Sequence, residues 1–182
     1  MEQNKRCAWV NLKNERYVKY HDEEWGKPLH EDGRLYELLI LESFQAGLSW
    51  ECILNKREAF RTAFDGFDPH KVVVYGEEKV EELMANPGIV RNRRKILATI
   101  RNTAVFLEIQ KEYGSFDRYI WSFTEGKVIR EPYAERTTSP LSDAISADLK
   151  RRGMTFVGST ILYSFLQSMG IIFAHGEECS SR

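Results

Sequence analysis

The sequence predicts an all-α protein in which helices pack on helices around one hydrophobic core. Apolar residues recur at three- and four-residue spacing in segment after segment, no run alternates as a strand does, and helix start and stop residues punctuate the segments. Asp32 stands as N-cap of a first helix, whose stripe of Leu35, Leu38 and Leu39 runs on to Glu42 and ends near Gly47. Trp50, Ile53, Phe60 and Phe64 place a second helix, up to the Asp65-Gly66 turn. Short helices are expected from Asp68-Pro69 and from Glu77 to Met84, the latter closed by Asn86-Pro87-Gly88. The longest runs from Arg91 to Tyr113, with Ile96, Ile100, Ala104 and Leu107 inside and Gly114 as terminator, and a shorter one covers Phe116 to Phe123. Thr124 to Ser139 loses the periodicity and reads as a loop. Ser139-Pro140 joins a capping hydroxyl to proline at the first helical position, opening a helix through Leu141, Ile145 and Leu149 that stops at Gly153. The six-residue connection Gly153 to Gly158 then leads into Ile161, Leu162, Phe165 and Leu166, the pattern of a helix-hairpin-helix.

A chain of 182 residues suits one domain, taken here as residues 1–182, and folding should bury about 70% of the surface of the unfolded chain. With 42% hydrophobic and 29% charged residues, no disordered or fibrous character is indicated. The net charge of -1 speaks against indiscriminate polyanion binding, so any nucleic-acid contact must be local. Three cysteines cannot all pair, and no leading apolar segment or membrane span is visible, so a reducing cytoplasm and no membrane partner are expected. The absence of a long heptad seam points to a monomer.

Cys7 and His21 near one end, and His175 and Cys179 four residues apart near the other, supply a Cys₂His₂ set suited to tetrahedral zinc. Four protein ligands would leave no open position, so such a site would be structural. Spacing alone leaves equal room for unrelated terminal cysteines and ordinary histidines. His30 and His70 read as surface residues and Cys52 as a small packed hydrophobe. Glu42 shares its stripe with Leu38 and Leu39, where an uncompensated charge is costly; an internal salt bridge, a helix end reaching solvent and a cationic ligand all answer that cost. Tyr17, Tyr20, Trp25 and Trp50 suit either a purine-stacking pocket or the core. Gly158 and Ser159 open a helix whose free amides can take a DNA phosphate, although a plain helix–helix connection has the same form. Local positive charge stands at Lys150, Arg151 and Arg152 and at Arg91, Arg93, Arg94 and Lys95, with solvated helix faces as the ordinary explanation.

Five motifs decide among these readings: Cys7-Ala8-Trp9, Tyr20-His21-Asp22-Glu23-Glu24-Trp25-Gly26, Glu42-Ser43-Phe44-Gln45-Ala46-Gly47-Leu48-Ser49-Trp50, Phe156-Val157-Gly158-Ser159-Thr160 and His175 with Cys179. In this order, over nearly the whole chain, they resemble the bacterial 3-methyladenine DNA glycosylase I family. The resemblance implies a helix-hairpin-helix glycosylase fold in which one structural zinc ion ties the terminal segments together through Cys7, His21, His175 and Cys179. It implies that a base flipped out of alkylated double-stranded DNA stacks on Trp50 while Tyr20 and Glu42 meet its polar edge. Leu48 would then fill the gap in the duplex, and Gly158 and Ser159 would hold the backbone. Glu42 is the expected catalytic residue, by recognising the base and stabilising its positive charge, in hydrolysis of the N-glycosidic bond of 3-methyladenine. Ser159 to His175 contain no aspartate or lysine, which favours a glycosylase without lyase activity. Ser43 and Phe44 match no fixed pattern. A noncatalytic DNA-binding module and a zinc hydrolase are the competing classes; the Glu42, Tyr20 and Trp50 set disfavours the first and a closed four-ligand site the second.

Overall fold

The computed structural model describes residues 5–132 and 136–181. Ten helices and one 3₁₀ turn surround a continuous core among those residues: α1 (Glu15–Glu23), α2 (Asp32–Gln45), α3 (Trp50–Asn55), α4 (Arg57–Ala63), the 3₁₀ turn Asp65–Phe67, α5 (Pro69–Val72), α6 (Glu77–Ala85), α7 (Arg93–Tyr113), α8 (Phe116–Ser122), α9 (Pro140–Arg151) and α10 (Ser159–Ser168). Two-residue strands β1 (Ile129–Arg130) and β2 (Ile172–Phe173) pair in parallel, Ile129 opposite Ile172, and pin the loop after α8 to the chain after α10. Tyr133, Ala134 and Glu135 of that loop lie outside the described residues.

At the centre is α2, buried at every position from Leu35 to Phe44, with α10, α3, α7 and α8 packed on it. A helix enclosed all round must carry its polar residues into the interior, and Glu37 and Glu42 are both buried there. The helix-hairpin-helix is α9, the connection Gly153 to Gly158, and α10. Ser139 and Ser142 form a reciprocal capping box with Pro140 at the first turn, and Ser146 Oγ donates to Val157 O across the hairpin at 2.7 Å.

Several expectations are corrected. Asp32 does not cap its own helix: it lies inside the first turn of α2, and its carboxylate accepts from the amides of Phe116 and Asp117 at 2.8 Å each, satisfying the first amides of α8 beside that helix's own N-cap Ser115. The helix expected from Trp50 to Phe64 is broken at Lys56, whose backbone leaves the helical region (φ -99, ψ 0) and whose ammonium reaches Pro87 O and Gly88 O. In α7, which starts at Arg93, Ile96 is fully buried but Ile100, Ala104 and Leu107 are only partly so. Its inner face instead runs through Thr99, Asn102, Thr103, Phe106 and Ile109, because the three polar residues hydrogen-bond within the core. Helix α1, unexpected from periodicity, is polar and buries only Tyr20 and His21; Asn14 caps it by accepting from the amides of Arg16 and Tyr17. Gly114 ends α7 in the left-handed conformation (φ 87), as expected.

Candidate active site

Helices α1, α3 and α10 and the N-terminal segment converge on a cavity of about 170 Å³. Its walls are aromatic, Trp9, Tyr17, Tyr20, Trp25 and Trp50, and its polar groups, Ser164, Gln167 and Ser168, come from one face of α10. Trp50 is set at the first turn of α3 by Ser49, whose hydroxyl accepts from the amide of Cys52 at 3.2 Å. Its indole centroid lies 5.4 Å from that of Tyr20.

Behind this wall stands Glu42, with no exposed surface. Tyr20 Oη donates to Ser168 Oγ at 2.8 Å, and Ser168 Oγ donates to Glu42 Oε1 at 2.9 Å, so one hydroxyl joins the carboxylate to the cavity. Glu42 Oε2 and Trp50 Nε1 have no hydrogen-bond partner among the described residues. The contrast with Glu37 on the same helix is sharp: Arg57 Nε (2.6 Å) and Arg61 Nε (3.0 Å) both bond Glu37, whereas no cation among the described residues pairs with Glu42. Neither a salt bridge nor a solvent-reaching helix end therefore explains Glu42. Burial pushes its carboxyl up to about 8, against the opposing pull of the Ser168 and Ser164 hydroxyls. Burial, and then the charge of Glu42, also hold the Tyr20 phenol well above its ordinary range.

Cys7, His21, His175 and Cys179 come together as a buried cluster whose ligand atoms all lie within 4.8 Å of one another. Cys179 Sγ is 3.4 Å from His21 Nε2 and 3.3 Å from His175 Nδ1, and Cys7 Sγ is 3.6 Å from His175 Nδ1. Tetrahedral zinc with ordinary Zn–S and Zn–N bonds gives S···N edges of about 3.5 Å, so the donor set fits that ion. The outer contacts fit too. Asp22 Oδ1 accepts from His21 Nδ1 at 2.8 Å, leaving Nε2 for the cluster, and Arg6 holds Asp22 through both carboxylate oxygens. Burial takes His175 down to about 4, which keeps its imidazole neutral as a ligand must be. Trp25 joins this cluster to the cavity: it lines the cavity, and its ring packs edge-on against His175 at 4.6 Å. Trp9 does the same beside His21 at 5.3 Å.

On the outer side, Leu48 is 38% exposed at the end of the turn Gln45–Leu48, and Gly158 precedes the free amides of α10 with no atom of the described residues within 4 Å of where a Cβ would stand. The Ser159 hydroxyl is engaged, with Asp143 Oδ1 at 2.5 Å and Ser142 Oγ at 2.8 Å, so only its backbone is available to a ligand. The basic runs divide. Arg93 pairs with Glu77 and Glu81, Arg151 with Asp148, and Arg152 with Glu112 and Asp148, while Lys95 is buried. Among the described residues, Arg91, Arg94 and Lys150 keep no carboxylate partner and remain as local positive charge. Ser43 and Phe44 stay out of the cavity lining: the Ser43 hydroxyl donates to Leu39 O, and Phe44 packs on Phe60 and Phe64. His30 and His70 are exposed, as expected; Cys52 is only half-buried and does not join the hydrophobic core it was expected to pack into. Ser164, Gln167 and Ser168 were not anticipated. Their three- and four-residue spacing on an otherwise apolar helix was the available signal.

The methyladenine glycosylase family profile matches residues 9–182. The chain belongs to this family. It is 41% identical over 182 residues to DNA-3-methyladenine glycosylase 1 of Escherichia coli (strain K12), covering 96% of this chain and 95% of the relative. A crystal structure of a 3-methyladenine DNA glycosylase I superposes with a TM-score of 0.92 at 42% identity, covering 97% of this chain and 98% of that one. Another, the Staphylococcus aureus 3-methyladenine DNA glycosylase I studied for its recognition of 3-methyladenine, also gives 0.92, at 38% identity over 97% and 95% of the two chains. The expected all-α fold is thus that of the family's solved members. No described helix is long and apolar enough to cross a membrane.

Proposed function

We propose that this chain is a cytoplasmic, monomeric, monofunctional glycosylase that hydrolyses the N-glycosidic bond of 3-methyladenine in alkylated double-stranded DNA, releasing the free base and leaving an abasic site. The observation that carries the reading is a fully buried carboxylate with no cation among the described residues, one hydroxyl behind an aromatic cavity. Leaving a buried polar group unsatisfied costs about 1–3 kcal/mol, and more for a charge. A cationic base relieves that cost and an ordinary adenine does not. Trp50 stacks on the flipped base, Tyr20 and Glu42 meet its polar edge, Leu48 fills the vacated stack, and the Gly158 and Ser159 amides hold a phosphate. The C1′–N bond breaks with its electron pair passing to the base nitrogen, neutralising its charge; water bonds to C1′ and loses a proton to solvent. The base already carries the charge that a leaving group needs, so Glu42 acts by placing negative charge beside it.

Glu42 must ionise to do this, and its carboxyl titrates at about 8 in the free protein. For release from methylated duplex DNA, kcat/KM should therefore rise with pH towards a plateau above about 8, and this limb should vanish in Glu42→Gln. A wild-type profile flat from pH 6 to roughly 9 contradicts the assignment.

We further propose that one Zn²⁺ is held by Cys7, His21, His175 and Cys179. Bound there it supplies a structural cross-link and takes no part in the reaction. Gly26 adjoins this site in the left-handed conformation (φ +77), and a Cβ on it would stand 2.7 Å from His175 Nε2. Gly26→Ala should displace the imidazole, lower zinc content below one per chain and cost roughly 1–3 kcal/mol, as read by metal analysis and thermal melting.

A further inference from the structure

We propose that Lys95 is a positioning residue for base extrusion, which locks the turn carrying Leu48 and fixes its distance from the hairpin. This inference rests on the wedge role given above to Leu48. Lys95 is 7% exposed, in the first turn of α7, and no carboxylate among the described residues pairs with it. Its ammonium donates instead to Phe44 O at 2.7 Å and Ala46 O at 2.6 Å, the carbonyls where α2 ends. A helix leaves its last carbonyls without intrahelical partners, and the last turn of α2 has no basic residue of its own.

The second of these bonds does more than cap a helix. Ala46 (φ -47, ψ 115) followed by Gly47 (φ +79) makes Gln45–Leu48 a type II turn, closed by Leu48 N donating to Gln45 O at 2.7 Å. Types I and II differ in which way the central peptide points, and Ala46 O belongs to that peptide. A water molecule would satisfy this carbonyl in either orientation; a buried lysine anchored on α7 satisfies it in one. Desolvation lowers the Lys95 pKa, so the ammonium is kept there at a cost that its carbonyl partners offset.

Two turns further along α7, Asn102 grips the hairpin by exchanging hydrogen bonds with the backbone of Thr155: Nδ2 donates to Thr155 O at 2.8 Å, and Thr155 N donates to Oδ1 at 2.9 Å. Seven residues of helix separate the two anchors by about 10 Å of rigid rod. The Phe156 ring of the hairpin also lies 6.0 Å from Lys95 Nζ. Wedge turn and phosphate-holding hairpin are thereby referenced to one helix, and misplacing a group by about 1 Å can cost on the order of 100-fold in rate.

The test compares base release from two duplexes, one with 3-methyladenine opposite thymine and one with it opposite an abasic site, where no pair has to be broken. Lys95→Met should lower the paired-to-unpaired ratio of kcat/KM by about 10- to 100-fold, with quenching of tryptophan fluorescence by free 3-methyladenine reporting a folded pocket. Lys95→Arg, which keeps charge and donors, should restore most of the ratio. If Lys95→Met fails to fold, Lys95→Gln carries the same comparison. Leu48→Ala, run in parallel, separates the two claims. A falling ratio in Leu48→Ala with an unchanged ratio in the Lys95 variants overturns the Lys95 role alone. An unchanged ratio in Leu48→Ala overturns the wedge reading, and the Lys95 role with it.

Discussion

Glu42→Gln is expected to release 3-methyladenine roughly 100- to 1,000-fold more slowly than wild type and yet to be more stable. The substitution keeps shape and volume and leaves an amide oxygen to accept from Ser168, so no packing reason for unfolding exists. What disappears is the charge. In the folded state the carboxyl titrates at about 8, well above an unfolded glutamate, so the native protein binds more protons than the unfolded chain between roughly pH 4.5 and 8. The Glu42 carboxyl therefore imposes no penalty below that window and a growing one through it, at most about 1.4 kcal/mol per pH unit. The Tm advantage of Glu42→Gln should be absent near pH 4, widen from pH 5 to 8 and level off above. Melting curves across that range check it; an advantage that shrinks with rising pH contradicts the account. A group that costs stability and supports turnover is what selection leaves at a functional site.

Loss of the proposed zinc site is the second large effect. Cys179→Ser replaces a thiol that lies within 3.4 Å of both histidines, and on the proposed assignment should reduce bound zinc from one per chain to near none. The helical core remains, so the cost is smaller than in a metal-dependent mini-domain: about 4 kcal/mol, or a Tm drop on the order of 10 °C. Treating wild type with a strong chelator should give the same drop, and zinc should reverse it. Activity should fall as well, because Trp9 and Trp25 rest on His21 and His175 while forming two walls of the base cavity. Full zinc retention and an unchanged Tm in Cys179→Ser would contradict the cross-link.

The sequence displays what is apolar and periodic, or punctuated by proline and glycine. Ser139-Pro140, Gly114 and the stripe through Leu35, Leu38 and Leu39 place their helices correctly because each signal acts within a few residues. What stayed hidden depends on distant partners. Asp32 has the form of an N-cap, but its carboxylate takes up the first amides of a helix more than eighty residues later, beside the true N-cap Ser115. The inner face of α7 is misread because Thr99, Asn102 and Thr103 are polar by type and satisfied by groups that only the fold brings near. Lys95 counts as a surface charge until the end of α2 is seen beneath it. Glu42 is conspicuous on its apolar stripe, but only the fold shows that no cation among the described residues pairs with it. The cysteines and histidines were visible as a set, and the spatial evidence that they converge is the cluster itself.

Excision of a cationic alkylated base without lyase activity is read out by chromatography of the free bases released from methylated duplex DNA, with gel analysis of the same DNA before and after alkali. 3-Methyladenine should be the main base released, with strand breaks that appear only after alkali. Zinc-loaded, folded protein that binds DNA without releasing a base would contradict it, and strand breaks without alkali would contradict the monofunctional assignment.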